Sequence, residues 1–236
     1  MDMNKYEPKV LSDFVFGNDE SKRLIEDIVS GVLPFPCFGK TGILLYGTFG
    51  TGKTTLAKLL PDLIEMGCTG EELGIWAEFF GCQQGHTGTA MLTLVNSQAG
   101  SDFFNTSKRR YYIFDEVDSL SKAAQSGLKT TLNAKDCIFV LTTNNISQLS
   151  KGVQDRCLPV EMNAPPDADF LPLAHRIAND VGVVLNDTEL LAAISGNAGS
   201  FRKIGSAVLR LATSRRRQEE EAAKLAAESL QRVAAK

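Results

Sequence analysis

The chain is short of the residues that build metal or disulfide frameworks. Its two histidines, His86 and His175, stand far apart and share no ligand spacing with cysteine, so no zinc site is expected. Five cysteines (Cys37, Cys68, Cys82, Cys137 and Cys157) are odd in number, scattered, and never form a C-x-x-C pair. That pattern predicts reduced thiols rather than a disulfide framework. No apolar run approaches the length of a membrane span, and no signal peptide opens the chain, so no membrane partner is expected. A net charge of -3 excludes a uniformly basic nucleic-acid sheath, and any such contact would need a local patch. There are no internal repeats. What remains is 236 residues with 43% hydrophobic content, enough for one large domain or two small ones with a real core.

The most informative stretch is Gly42 to Thr55, GILLYGTFGTGKTT. An apolar run, Ile43 to Tyr46, stops at Gly47. Thr48, Phe49, Gly50, Thr51, Gly52, Lys53, Thr54 and Thr55 follow, which is G-x-x-x-x-G-K-T between a predicted strand and a predicted helix. Phosphate oxygens are held by backbone N–H groups, so such a loop must curl with its amides inward. Glycines at 47, 50 and 52 permit the curl. Lys53 supplies charge to the β- and γ-phosphates, and Thr54 offers a hydroxyl to Mg²⁺. The helix that begins at Lys53 points its N-terminal dipole at the same anion. A Gly-rich surface turn is the bland alternative, but it does not account for the Lys-Thr pair at the helix start.

Around this loop the pattern alternates between strands and helices. Pro8 makes residues 5–11 an extended arm. A helix is predicted from Glu20 to Ser30, and Pro61 is expected to kink or shorten the helix after the loop, which should end near Met66. Ile75 to Phe80 reads as a strand, Gln83 to Gly88 as a loop and Thr89 to Ala99 as a helix. Tyr111 to Phe114 is a short apolar strand delivering Asp115 and Glu116. Asp115 is expected to bind Mg²⁺, mostly through water, and Glu116 to polarise an attacking water. A solvated acidic turn is the alternative. Leu120 to Leu132 is a predicted helix with Ala123, Ala124, Leu128 and Leu132 on one side. Cys137 to Leu141 is a buried strand ending in Thr142-Thr143-Asn144-Asn145. An amide there, Asn144, suits a hydrolytic water or the γ-phosphate, although asparagine after a strand is often only a turn residue. Leu158 to Met162 is the last strand. Asn163 to Asp167, with two prolines, is the best boundary, and only helical patterns follow. These are Phe170 to Val181, Asn186 to Ser195 with a capping-box spacing, and Ser200 to Arg217.

Taken together, these motifs are similar to those of AAA+ ATPases. Within that class they resemble the clamp-loader group: replication factor C small subunits and bacterial clamp-loader ATPases. The resemblance covers roughly residues 5 to 212. Lys5-Tyr6-Glu7-Pro8-Lys9 resembles the group's lysine-tyrosine-arginine-proline-lysine arm, which implies that Tyr6 and Pro8 lie near the adenine. Phe16-Gly17 resembles the valine-glycine turn that follows the arm. Asp115-Glu116-Val117-Asp118 resembles the aspartate-glutamate-x-aspartate box, and Asn144 matches the sensor 1 asparagine. Asp155-Arg156-Cys157 resembles the serine-arginine-cysteine motif, which implies that Arg156 reaches a neighbouring subunit's ATP. Asp155 in place of serine is expected to hold or neutralise that arginine. Gly199-Ser200-Phe201-Arg202 resembles the sensor 2 motif, implying a catalytic role for Arg202.

The fold class implied is α/β: a P-loop AAA+ module with a parallel five-stranded sheet and helices on both faces, followed by a small helical lid. The expected divisions are 1–163, a lid at 164–213 and a charged helical tail at 214–236, in place of the group's collar. ATP and Mg²⁺ are the implied cofactors. The implied partners are other AAA+ subunits in a homo- or hetero-oligomer, DNA, and a sliding clamp or other replication protein. The implied setting is the cytoplasm, at the nucleoid or a viral replication site. Lys122, Lys129 and Lys135 are candidate phosphate-tracking residues on DNA, against a plain solvated face. Two other classes compete. A translocating helicase motor would want aromatic pore loops and a distinct DNA-binding domain, which the sequence does not display. A helicase loader or transposition assembly ATPase that polymerises on DNA would need no collar. An inactive scaffold is disfavoured, because Lys53, Asp115, Glu116 and Arg156 are all present.

Overall fold

The computed structural model describes residues 3–71, 77–82, 93, 95, 97 and 105–234. The chain forms two compact units, Met1–Ala164 and Pro165–Lys236. The first is built on five parallel strands: β1 Gly42–Tyr46, β2 Ala77–Gly81, β3 Arg110–Asp115, β4 Cys137–Thr143 and β5 Cys157–Glu161. Their order is β2-β3-β4-β1-β5, so β1 lies between β4 and β5. Four helices with described bounds belong to this unit: α1 Asp19–Val29, α2 Lys53–Thr69, α3 Lys122–Thr131 and α4 Lys151–Asp155.

The central strands β1, β3 and β4 are apolar on both faces because both are covered. Ile43 and Leu45 of β1 join one core with Ile25 and Ile28 of α1 and Leu56 and Leu60 of α2. Leu44, between them, points to the other core, with Phe139, Leu128 of α3 and Val153 of α4. One buried carboxylate crosses the first core. Glu65 of α2 accepts from the Tyr111 hydroxyl at 2.9 Å, the Ser107 amide at 3.0 Å and the Ser107 hydroxyl at 2.6 Å, which ties residues 105–107 to the helix. Burial, with the Glu65 hydrogen bond and charge adding to it, raises the Tyr111 phenol well above its usual range.

Several boundaries differ from those the sequence suggests. The arm is not wholly extended: Met3–Tyr6 is a 3₁₀ turn, and the Asp13 carboxylate accepts from the Lys9 and Val10 amides. Pro61 does not shorten α2, which runs on to Thr69 and ends at left-handed Gly70. Proline loses its own amide bond and crowds the carbonyl one turn back, and burial of Leu56, Leu60 and Ile64 outweighs that cost. In α3, Ala123 is exposed and Gln125 is buried in its place; Gln125 donates to the Leu120 and Gln148 carbonyls and accepts from the Ser150 amide. The strand expected at 75–80 begins at Ala77 in the described residues, and the predicted loop at 83–88 lies outside them. So does most of the predicted helix at 89–99, of which residues 93, 95 and 97 are helical.

The second unit holds α5 Leu171–Val181, α6 Asp187–Ile194 and α7 Phe201–Ala234. Asn186 and Glu189 close the capping box of α6. Ile204, Val208 and Ala212 bury one stripe of α7. The charged tail is not a separate element: α7 continues unbroken for 34 residues, because nothing after Arg217 breaks a helix.

Gly67 marks the tightest approach between α1 and α2. A Cβ there would stand 1.7 Å from the Val29 carbonyl oxygen. Alanine at an exposed helical glycine ordinarily gains about 0.8–1.0 kcal/mol. Here forcing the helices apart costs about 1–3 kcal/mol, so Gly67→Ala is expected to lower the denaturation midpoint. A raised midpoint in urea unfolding would contradict this packing.

Candidate functional site

The carboxyl ends of β1, β3 and β4 converge, and the sequence places its phosphate-binding and acidic residues there. The loop Gly47–Gly52 leaves β1 with left-handed backbone at Gly50 (φ 81°) and Gly52 (φ 90°). Gly47 is required by space: a Cβ would stand 2.6 Å from the Met162 carbonyl oxygen at the exit of β5. Thr51 Oγ1 donates to the Thr48 carbonyl at 3.0 Å, Thr48 and Phe49 are exposed at the tip, and Thr55 is half-buried in the first turn of α2.

Lys53 is buried and folds back on the loop. Its Nζ donates to the Gly47 carbonyl at 3.0 Å and the Thr48 carbonyl at 2.5 Å. Burial lowers its pKa, while the charges of Asp118, Asp115 and Glu116 oppose that shift. The ammonium is therefore held by two neutral carbonyls among three carboxylates, a place that an anionic ligand satisfies better.

A chain of hydrogen bonds joins the loop to the acidic strand end. Thr54 Oγ1 donates to Asp115 Oδ1 at 2.9 Å, Thr142 Oγ1 donates to the same oxygen at 2.5 Å, and the Glu116 amide donates to Thr142 Oγ1 at 2.9 Å. Glu116 adopts φ 59° and ψ 49°, a left-handed conformation that costs a non-glycine residue about 1 kcal/mol or more. The Thr142 bond holds it there, with its side chain exposed at the mouth. Asn144 follows β4 directly and is half-buried beside β1. Asp118 Oδ1 is buried without a hydrogen-bond partner.

These residues fit Mg²⁺ and a polyphosphate. Thr54 and Asp115 offer hard oxygen donors in contact with each other, and an orphaned carboxylate oxygen lies in the same acidic group. Magnesium keeps waters and phosphate oxygens among its ligands, so two protein donors suffice. Among the described residues no group of three or more His, Cys, Asp or Glu gathers as an all-protein metal cage.

Two residues were not assigned a role from sequence. Thr142 was visible only as a strand-end threonine, and its bridging position depends on the β3–β4 register. Phe14 is buried with its ring edge 3.4 Å from where a Gly52 Cβ would stand, so it braces the loop. Phe16, the sequence candidate, is half-buried and packs against Phe14, with ring centroids 6.4 Å apart. Gly17 approaches the Asn163 carbonyl, 2.7 Å from its would-be Cβ. Tyr6 is buried with the Lys5 ammonium 4.9 Å from its ring centre, and Pro8 is half-buried.

Arg156 is not part of this group. It immediately precedes β5 at the amino end of the sheet, where its carbonyl accepts from the Thr41 and Gly42 amides at 3.1 Å each. From Thr41 to Gly47 is six residues along β1, about 20 Å at roughly 3.3 Å per residue, beyond an arginine's reach. Its guanidinium does not pair with Asp155, as the sequence suggested. Nε donates to Asn133 Oδ1 at 2.8 Å and Nη1 to the Gly152 carbonyl at 2.9 Å. Lys129 lies beside it: its Cδ is 2.6 Å from where a Gly152 Cβ would stand, while Lys122 and Lys135 are exposed. Arg202 is exposed near the start of α7, in the second unit.

Residues 43–163 match the model of the ATPase family associated with various cellular activities (AAA). The replication factor C small subunit 2 of Pyrobaculum islandicum is 25% identical over 211 residues, covering 84% of this chain and 59% of that protein. The replication factor C small subunit of Natronomonas pharaonis is 27% identical over 206 residues, covering 85% and 59%. This chain thus spans about three fifths of the length of these relatives. Among solved structures, the RuvB Holliday junction branch migration motor of Thermotoga maritima shares the fold, with a TM-score of 0.59 at 19% identity over 88% of this chain and 64% of that one. No described helix is long and apolar enough to cross a membrane.

Thr142→Val keeps the shape of the side chain but removes both of its hydrogen bonds. We expect ATP turnover to fall about 10- to 100-fold with nucleotide affinity unchanged, and Thr142→Ser to restore it. Unchanged turnover in Thr142→Val would show that Asp115 and Glu116 do not need this support.

Proposed function

Because the chain belongs to the AAA ATPase family, we propose that it is a Mg²⁺-dependent ATPase acting as an oligomeric switch on the replication apparatus, with each active site shared between adjoining subunits. One observation carries this reading: the phosphate loop and Arg156 lie at opposite ends of the same strand ladder.

In this reading the loop amides and the α2 N-terminus hold the β- and γ-phosphates. Lys53 leaves the Gly47 and Thr48 carbonyls for the phosphates, exchanging two neutral acceptors for charged ones. Thr54 and Asp115 would hold Mg²⁺, which supplies neutralisation of phosphate charge when bound. Glu116 accepts a proton from the attacking water, and Asn144 orients that water or the γ-phosphate. Tyr6, Pro8, Phe16 and Gly17 flank the base. Arg156 acts in trans, giving up Asn133 and the Gly152 carbonyl for a neighbouring subunit's phosphate.

The replication factor C relatives favour work on a sliding clamp and DNA, through homo- or hetero-oligomers of AAA+ subunits. Cytoplasmic action follows from that role.

The test is subunit mixing. Lys53→Ala lacks a sound phosphate loop, and Arg156→Ala lacks a sound finger. Each alone is expected to lose most turnover, about 10³-fold for the arginine. In an equal random mixture, about a quarter of head-to-tail interfaces pair a sound loop with a sound finger, so about a quarter of wild-type activity returns. No recovery despite demonstrated co-assembly would confine Arg156 to a structural role in its own chain.

A further inference from the structure

The amino end of the sheet carries a feature that the nucleotide chemistry does not use. Between α1 and β1, Cys37 and Lys40 close a tight turn with two backbone hydrogen bonds, 3.2 and 2.8 Å. Phe38 stands at its tip, 100% exposed, with φ 49°. A bulky residue in the left-handed region is strained, and a wholly exposed phenyl ring gains nothing from folding. The turn is firmly attached. Lys40 Nζ donates to the Asp155 carbonyl at 2.7 Å and the Cys157 carbonyl at 3.0 Å, bracketing Arg156, whose own carbonyl takes the Thr41 and Gly42 amides. Thr41 Oγ1 also donates to the Leu132 carbonyl at 2.5 Å, at the C-terminus of α3. Phe38 is thus fixed to the same peptide segment that carries Arg156.

We propose that this turn is an interaction surface, with Phe38 as the apolar anchor of a head-to-tail joint with a second copy of this chain. The inference rests on the reading of Arg156 as acting in trans. Charge complementarity selects the occupant. Lys40 belongs to the turn, Arg156 lies between its two carbonyl acceptors and Lys129 packs against Gly152 beside that arginine, with Asp155 as an opposing charge. The other end of the same sheet presents Asp115, Glu116 and Asp118, and in the proposed function it takes the polyphosphate. A cationic end with one apolar anchor fits an acidic end, and here Phe49 supplies apolar surface, 74% exposed at the loop tip. Two amino ends brought together would oppose like charges. Because the complementary surfaces lie at opposite ends of one sheet, the contact is heterologous and repeats from copy to copy.

The test uses Phe38→Asn, since asparagine tolerates the left-handed backbone and the turn is preserved. The full chain is sedimented over a concentration series with Mg²⁺ and a non-hydrolysable ATP analogue. Phe38→Asn is expected to bind the analogue as wild type does, while the concentration for half-assembly rises about tenfold or more, as for loss of a buried aromatic anchor. With benzoylphenylalanine in place of Phe38, photolysis should link the turn to a neighbour's residues 47–53 or 115–119. Wild-type assembly of Phe38→Asn, or crosslinks to the neighbour's own turn at 37–41, overturns the docking proposal and leaves the role of Arg156 standing. A wild-type chain that binds the analogue yet stays monomeric throughout overturns both.

Discussion

The polarity of one hydrogen-bond ladder governs this molecule. β1 is paired in parallel with β4 on one side and β5 on the other, so all three strands deliver their carboxyl ends to the same edge. Parallel sheets bind ligands at that edge because the connecting loops and helix N-termini gather there. The same alignment sends the residue before β5 to the far edge. A phosphate loop after β1 and an arginine before β5 are therefore separated by the length of the strands, whatever the side chains do. Packing maintains the separation: the central strands are buried on both faces between α1 and α2 on one side and α3 and α4 on the other.

At the carboxyl edge, the acidic residues are held before any ligand arrives. Asp115 accepts from threonines on two different elements, α2 and β4, and the second threonine also fixes the backbone of Glu116. Charge-assisted hydrogen bonds of this kind are about twice as strong as neutral ones. They offset the cost of gathering carboxylates and of the left-handed backbone at Glu116. Lys53 is the exception, since its ammonium is engaged with its own loop. Preorganised acids beside a buried cation held only by neutral carbonyls suit a site for a highly charged ligand.

Much of this was legible in the sequence. G-x-x-x-x-G-K-T after an apolar run specifies strand, loop and helix together, and continuous apolar strands interleaved with helical patterns specify a covered parallel sheet. Local rules failed where tertiary packing prevailed. Pro61 lies in a helix whose buried face continues past it, and Gln125 is buried because loop backbone groups around α3 need partners. Thr142 could not be singled out, because its importance comes from lying opposite β3 rather than from its neighbours in the chain. Asp155 misled for the opposite reason. Adjacency suggested an ion pair with Arg156, whereas the end of α4 directs the guanidinium to Asn133 and the Gly152 carbonyl.

We propose that no single chain holds a complete site, because the strand ladder keeps Arg156 away from its own phosphate loop. The most direct measurement is steady-state ATP turnover per chain across a wide range of chain concentration, with sedimentation under the same conditions. We expect low turnover in the monomeric range, rising to a plateau in step with assembly. Turnover per chain that stays constant while the protein is monomeric would contradict it.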